Sequence, residues 1–136
     1  MKLEKHEEII NEVLDEIDSA LHDKRGLVFH QRRLAFSLSL GSVNLIEIFL
    51  RKKNVMKEGS KIDHSWFRKK HEVILANLKR QIISPLDSLE NIKNIIDLAS
   101  QIEEKRDELA YGAPASEKIL QEKINLFFEL KKVLQC

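Results

Sequence analysis

Apolar residues recur every three or four positions along most of the chain, and that period narrows the possible folds more than any other feature. Leu3, Ile10, Val13, Leu14, Ile17, Ala20 and Leu21 follow it, with Glu7, Glu8, Glu12, Asp15, Glu16 and Asp18 between them. The spacing predicts a first helix over 2–24, with Gly26 as a soft end. A second run, from Leu27 to Lys53, is the most apolar and reads as the central helix through Leu34, Leu38, Leu45 and Phe49. Ala35, Ser37, Ser39, Gly41 and Ser42 near its middle would let another backbone approach closely, either a helix of the same chain or a second protomer.

Later boundaries are marked by turn chemistry. The stretch NVMKEGSKID supplies a polar connection through Gly59, after which Asp63 or Ser65 would cap a third helix reaching about Ile83. Ser84 stands at a predicted N-cap, with Pro85 in the first helical position and Asp87 where a capping-box acid belongs. The fourth helix carries Leu89, Ile92, Ile95, Ile96, Ala99, Ile102 and Leu109, and stops at Gly112 before Pro114. Ser116 caps a fifth, bearing Ile119, Leu120, Ile124, Phe127, Phe128 and Leu134. Four glycines, two prolines and 6% aromatics leave little for a sheet. The expected fold is all-α, an up-and-down helical bundle of about five helices in one domain over 1–136.

Charge is unevenly placed. Net charge is −5 over residues 1–20, +9 over 21–80 and −3 over 81–136. The basic middle could attract phosphates or be an ordinary solvated surface. The single cysteine, Cys136, excludes an internal disulfide and reads as a terminal thiol in a reducing compartment. MKLEKHEEII is too charged for a signal peptide, and no run approaches the roughly 18 apolar residues of a membrane span, so a cytoplasmic protein without a membrane partner is expected.

Signatures of several enzyme classes are missing: no Gly-rich phosphate loop, GxSxG, CxxC or HExxH occurs. Glu103, Glu104 and Glu108 lack the ExxH partner of a di-iron site. His64 and His71, two helical turns apart, are separated by a rise of about 10.5 Å, too far to share an ion easily. No metal or other cofactor is expected. Trp66 and Phe67 beside Arg68, Lys69 and Lys70 fit either a nucleic-acid surface or a helix start anchored in the core. Most distinctive is EEKRDELAYGAP, where Arg106 precedes Tyr111 by about one turn, so that guanidinium and phenol could face a common concavity; alternatively Arg106 is a surface partner of Glu103.

Together, the bundle pattern and Arg106–Asp107 within RDELAYG resemble the HEPN superfamily, the higher eukaryotes and prokaryotes nucleotide-binding domains. Their motif is an arginine, a polar residue and, a few positions on, a histidine. Tyr111 stands where that histidine is expected. The small-residue-rich helix from His30 to Leu50, the Gly59 turn and KIDHSWF look like the family's middle region. The resemblance implies a homodimer with facing arginine motifs, RNA or nucleotide binding by Arg106, Asp107 and Tyr111, and a nucleotidyltransferase-type protein partner, as in toxin–antitoxin pairs. It also implies, for active members, metal-independent attack of a ribose 2′-hydroxyl on the adjacent phosphate, with Arg106 stabilising the charge that develops. An unperturbed phenol, with a pKa of about 10, is a poor general base at neutral pH. The expectation is therefore a catalytically degenerate binding domain, with an active ribonuclease using Tyr111 or a histidine from elsewhere, and a purely structural helical adaptor, as the alternatives.

Overall fold

The computed structural model describes residues 1–135; Cys136, read above as a terminal thiol, lies outside the described residues. The chain folds as the expected helical bundle. Its helices are α1 (Leu3–His22), α2 (Gln31–Lys52), α3 (His71–Gln81), α4 (Ile92–Glu103), α5 (Arg106–Tyr111) and α6 (Glu117–Val133). Short 3₁₀ turns occupy Leu27–His30, His64–Arg68 and Leu86–Ser88. Among the described residues the only extended pairing is a single bridge between Met56 and Ile82.

The helical period decides which face each element buries. Ile10, Val13, Ile17 and Ala20 turn inward from α1, and Leu120, Ile124, Phe127 and Leu130 from α6. Ile119 and Phe128, adjacent to two of these, point outward. Helix α2 lies at the centre, packed against α1, α4, α5 and α6. The segment Leu27–Lys52 meets the length and composition of a membrane span, contrary to the expectation that none would, with a mean hydropathy of 1.4. Two thirds of that window, 67%, is buried inside the bundle, where it acts as the core helix.

The small residues of α2 serve the chain's own packing at Gly41. A Cβ there would press on the Phe127 ring from α6 and on Val13 from α1. Removing it lets three helices meet. Polar side chains on α2 tie it to its neighbours. The buried His6 of α1 places Nδ1 2.7 Å from Asn44 Oδ1, while Arg51 Nε donates to its Nε2 at 3.1 Å. Glu47 reaches the same imidazole and accepts the Ile62 amide at 2.6 Å. His30, just before α2, lies 3.0 Å from Glu16 and 2.8 Å from Asp23. Burial pushes the Glu16 carboxyl up, but hydrogen bonds from His30 and Arg33 outweigh it and hold the group below its ordinary range. Asp23 is lowered as well, chiefly by Arg25 and then by His30.

Three predicted boundaries change. Asp63 does accept the Ser65 amide, at 2.8 Å, yet the chain makes a 3₁₀ turn over His64–Arg68 and runs extended at Lys69 and Lys70 before α3 begins. Phe67 is drawn into the core and Arg68 towards α4, which the straight helix predicted from Asp63 does not accommodate. Trp66 packs half-buried against the core, whereas Lys69 and Lys70 stay exposed. Ser84 caps nothing: its Oγ is buried without a hydrogen bond, and α4 starts at Ile92 behind Asn91 in the left-handed region. Leu86 and Leu89 are both buried at a spacing of three, the period of the 3₁₀ turn between them.

The predicted fourth helix is cut in two. Lys105 adopts φ 61°, ending α4 and starting α5 in a new direction. Lys123 of α6 supplies the reason. Its Nζ donates to the carbonyls of Gln101 and Glu104, at 2.7 Å for the latter, satisfying acceptors that the break exposes. Burial lowers the pKa of that ammonium. Further on, α5 ends before Gly112 and Ser116 caps α6 through the Ile119 amide at 3.2 Å, as predicted. Gln31 of α2 clasps the intervening loop, donating to Leu109 and Ala113 carbonyls at 3.0 and 3.1 Å and accepting the Ala115 amide at 2.7 Å.

Gly26 joins α1 to α2 at φ 100°, ψ 171°, a region open in practice only to glycine. Its flat surface receives the Glu117 carboxylate, which accepts the amides of Leu27 and Val28 at 2.9 and 3.2 Å. Gly26→Ala is therefore expected to lower unfolding free energy by about 1–3 kcal/mol in urea titrations, and a loss under about 0.5 kcal/mol would contradict this account of the junction.

Candidate functional site

Glu103, the last residue of α4, is only 3% exposed, and a buried carboxylate needs partners. Three segments supply them. Ser39 Oγ of α2 donates to Oε2 at 2.7 Å, His64 Nδ1 lies 2.6 Å from Oε1, and Arg68 Nε donates to Oε1 at 3.2 Å. Arg106, one turn on across the α4–α5 break, approaches the same oxygen to 4.0 Å. The break is what aims Arg106 here.

Arg106 is largely withdrawn from solvent, its side chain 17% exposed. Its guanidinium lies over the Phe36 ring at 4.9 Å, an arrangement that attracts a cation to the ring face. One Nη donates to Asp107 Oδ1 at 2.8 Å, while Nε is buried without a hydrogen bond. Asp107 is shared: Arg68 also donates to it, at 3.0 Å to Oδ2 and 3.4 Å to Oδ1. The Arg106 hydrogen bond, with the charges of Arg68 and Arg106, holds this carboxyl below its ordinary range. Two guanidinium groups thus converge on one carboxylate that is itself 52% exposed.

Arg68, Glu103, Arg106 and Asp107 line an open cleft of about 500 Å³ between Phe67–Arg68 and the end of α4 with α5. Its cations, Arg68, Lys105 and Arg106, face the anions Glu103, Glu104, Asp107 and Glu108. Tyr111 takes a different place. Its ring meets Phe36 edge-on at 5.8 Å, it is 72% exposed, and it is not among the residues lining the cleft. Phe36 therefore lies against both Arg106 and Tyr111, and the phenol does not converge with the guanidinium on that concavity.

Other sequence candidates separate. His64 belongs to the Glu103 cluster, whereas His71 lines another cavity with Leu75, Lys79 and Pro85. Glu104 and Glu108 stay exposed while Glu103 is buried, and among the described residues no group of three or more His, Cys, Asp or Glu is placed to hold a metal ion. Ser39 and Phe36 carry no local signal of a site role. Arg68 has its aromatic neighbours as a flag, but its pairing with Glu103 and Asp107 spans more than thirty residues.

Glu103→Ala removes the acceptor shared by Ser39, His64 and Arg68 and is expected to destabilise the fold by about 2–3 kcal/mol. Glu104→Ala, at the exposed next position, should stay within about 0.5 kcal/mol. Equal effects in chemical denaturation would contradict the role given to Glu103.

No family model, curated protein or solved structure matches this chain.

Proposed function

We propose that the chain is a HEPN-like helical domain that binds a phosphate-bearing ligand, a nucleotide or RNA, in the cleft beside Arg106 without cleaving it. One observation carries this: Arg68 and Arg106, from separate elements, both donate to Asp107 and so converge on one small anion. Paired guanidinium forks match the oxygens of a phosphate as well as those of a carboxylate. Tyr111, in the position of the motif histidine, is exposed and stands outside the cleft that Arg106 lines, which favours binding over catalysis. A homodimer fits the same picture. Leu40 and Tyr111 remain exposed, Tyr111 against the Phe36 ring that carries Arg106 and Leu40 one turn of α2 beyond Phe36, a surface that a second copy would cover. A nucleotidyltransferase-type protein is the partner that the family resemblance adds.

A ribonuclease is the second reading, favoured by the short contact between His64 Nδ1 and Glu103 Oε1. A carboxylate that holds one imidazole nitrogen fixes the tautomer and leaves the other as a proton acceptor.

Both readings meet in one experiment, in which labelled RNA and a mononucleotide are titrated at low salt with wild type and Arg106→Ala, and the RNA is afterwards resolved for cleavage. Binding should weaken by about tenfold or more in the variant, the value of one charge-assisted hydrogen bond. Affinity independent of Arg106, or no affinity, would remove the proposal. Cleavage by wild type that disappears in His64→Ala would replace it with the ribonuclease.

A further inference from the structure

Resting on the phosphate-binding reading of this cleft, we infer that Asp107 is a built-in stand-in for the ligand, and that the ligand it yields to is a terminal phosphate monoester and not the internal diester of a nucleic-acid backbone.

Asp107 occupies the position that an incoming anion needs. Its Oδ1 takes Arg106 at 2.8 Å and its two oxygens take both Nη groups of Arg68, at 3.0 and 3.4 Å. Glu103 Oε1 also faces both arginines, but only Arg68 donates a hydrogen bond to it, Arg106 standing 4.0 Å away, and it is buried where Asp107 is exposed. Arg68 Nε and the buried side of Arg106 are turned to Glu103, so the outward Nη groups are the ones open to exchange. At 52% exposure the Asp107 side chain can rotate into water without leaving a buried charge behind, which Glu103, at 3%, cannot do. One carboxylate therefore anchors the arginines and the other covers them.

The charge of the displacing group then decides which ligand gains. The charges of Arg68 and Arg106 favour the ionised Asp107 carboxylate, although Glu103, Glu104 and Glu108 offset Lys105 and the arginines over the cleft as a whole. The spot that Asp107 occupies therefore attracts an anion and draws a group of charge −2 twice as strongly as one of charge −1. A backbone diester carries −1, as Asp107 does, and the exchange has no electrostatic gain. A terminal monoester carries close to −2 at neutral pH and adds a third oxygen for the same donors. The rim opposes a long polyanion as well. Glu104 and Glu108 outnumber Lys105 there, and the extended backbone of RNA would have to pass them. A single phosphate end brings less negative charge past these two glutamates than a continuous backbone does. The end of an RNA and the phosphate of a mononucleotide share this chemistry.

The test compares one short RNA oligonucleotide carrying a 5′-phosphate with its 5′-hydroxyl form, alongside adenosine monophosphate, at pH 7.5 with wild type and Asp107→Asn. Wild type should bind the phosphorylated oligonucleotide about tenfold more tightly than the hydroxyl form. Asp107→Asn should tighten binding of the phosphorylated probe by about two- to fivefold, the upper part of the range that exposed ion pairs are worth. Mononucleotide binding that tracks the phosphorylated RNA identifies the phosphate group as the recognised element, and RNA binding without it assigns the site to RNA ends. Equal affinity for the two oligonucleotides, or unchanged or weaker binding by Asp107→Asn, overturns the inference. If that binding still depends on Arg106, the reading of the cleft as a phosphate site survives; if no probe binds, both fall together.

Discussion

A carboxylate buried at the end of a helix has to be surrounded by donors, and in this protein Glu103 draws them from three directions at once. Ser39 fixes α4 against the central helix, His64 and Arg68 pull the 64–68 turn over the end of α4, and Arg106 follows from α5. The turn cannot continue as a helix while satisfying these contacts. Nor can α4, whose terminal carbonyls are taken by Lys123 from the opposite side. The cleft is the space left where these segments meet.

Two acids of this cleft differ in exposure, and under the proposed function they divide structural and ligand-facing duties. Glu103 is shut away and holds the arginines at their inner edge; Asp107 is accessible and holds them at their outer edge. Phe36 supports Arg106 from the flat face of its ring, so the guanidinium is held on three sides by the protein itself. Such preorganisation reduces the ordering that binding would otherwise require. It also separates Arg106 from Tyr111, which sits against the same ring but faces solvent.

How far the sequence foretold this follows from the range of the interactions. Helices whose buried face is set by their own period, α1, α2 and α6, were legible, as were the Ser116 cap and the stop before Gly112, because the signals are local. The Ser84 cap failed because Leu86 and Leu89 are buried three apart and the chain answers with a 3₁₀ turn. The break at Lys105 was invisible because its cause, Lys123, lies a helix away. Arg106 and Asp107 stand out in the sequence by their motif, and both line the cleft. Arg68 was flagged only for its aromatic neighbours, and Glu103 only as one of several acids on a helix face. Their meeting is a product of tertiary packing and leaves no short-range pattern.

That Glu103 gathers the cationic groups of the cleft is the claim on which the fold of this end of the bundle and its chemistry both rest. A double-mutant cycle in unfolding free energy between Glu103→Gln and Arg68→Ala isolates it from the separate effects of each side chain. The account expects a coupling of about 1 kcal/mol or more, as for residues that share a hydrogen-bonded ion pair. Strictly additive losses would mean that the two residues act independently and would contradict it.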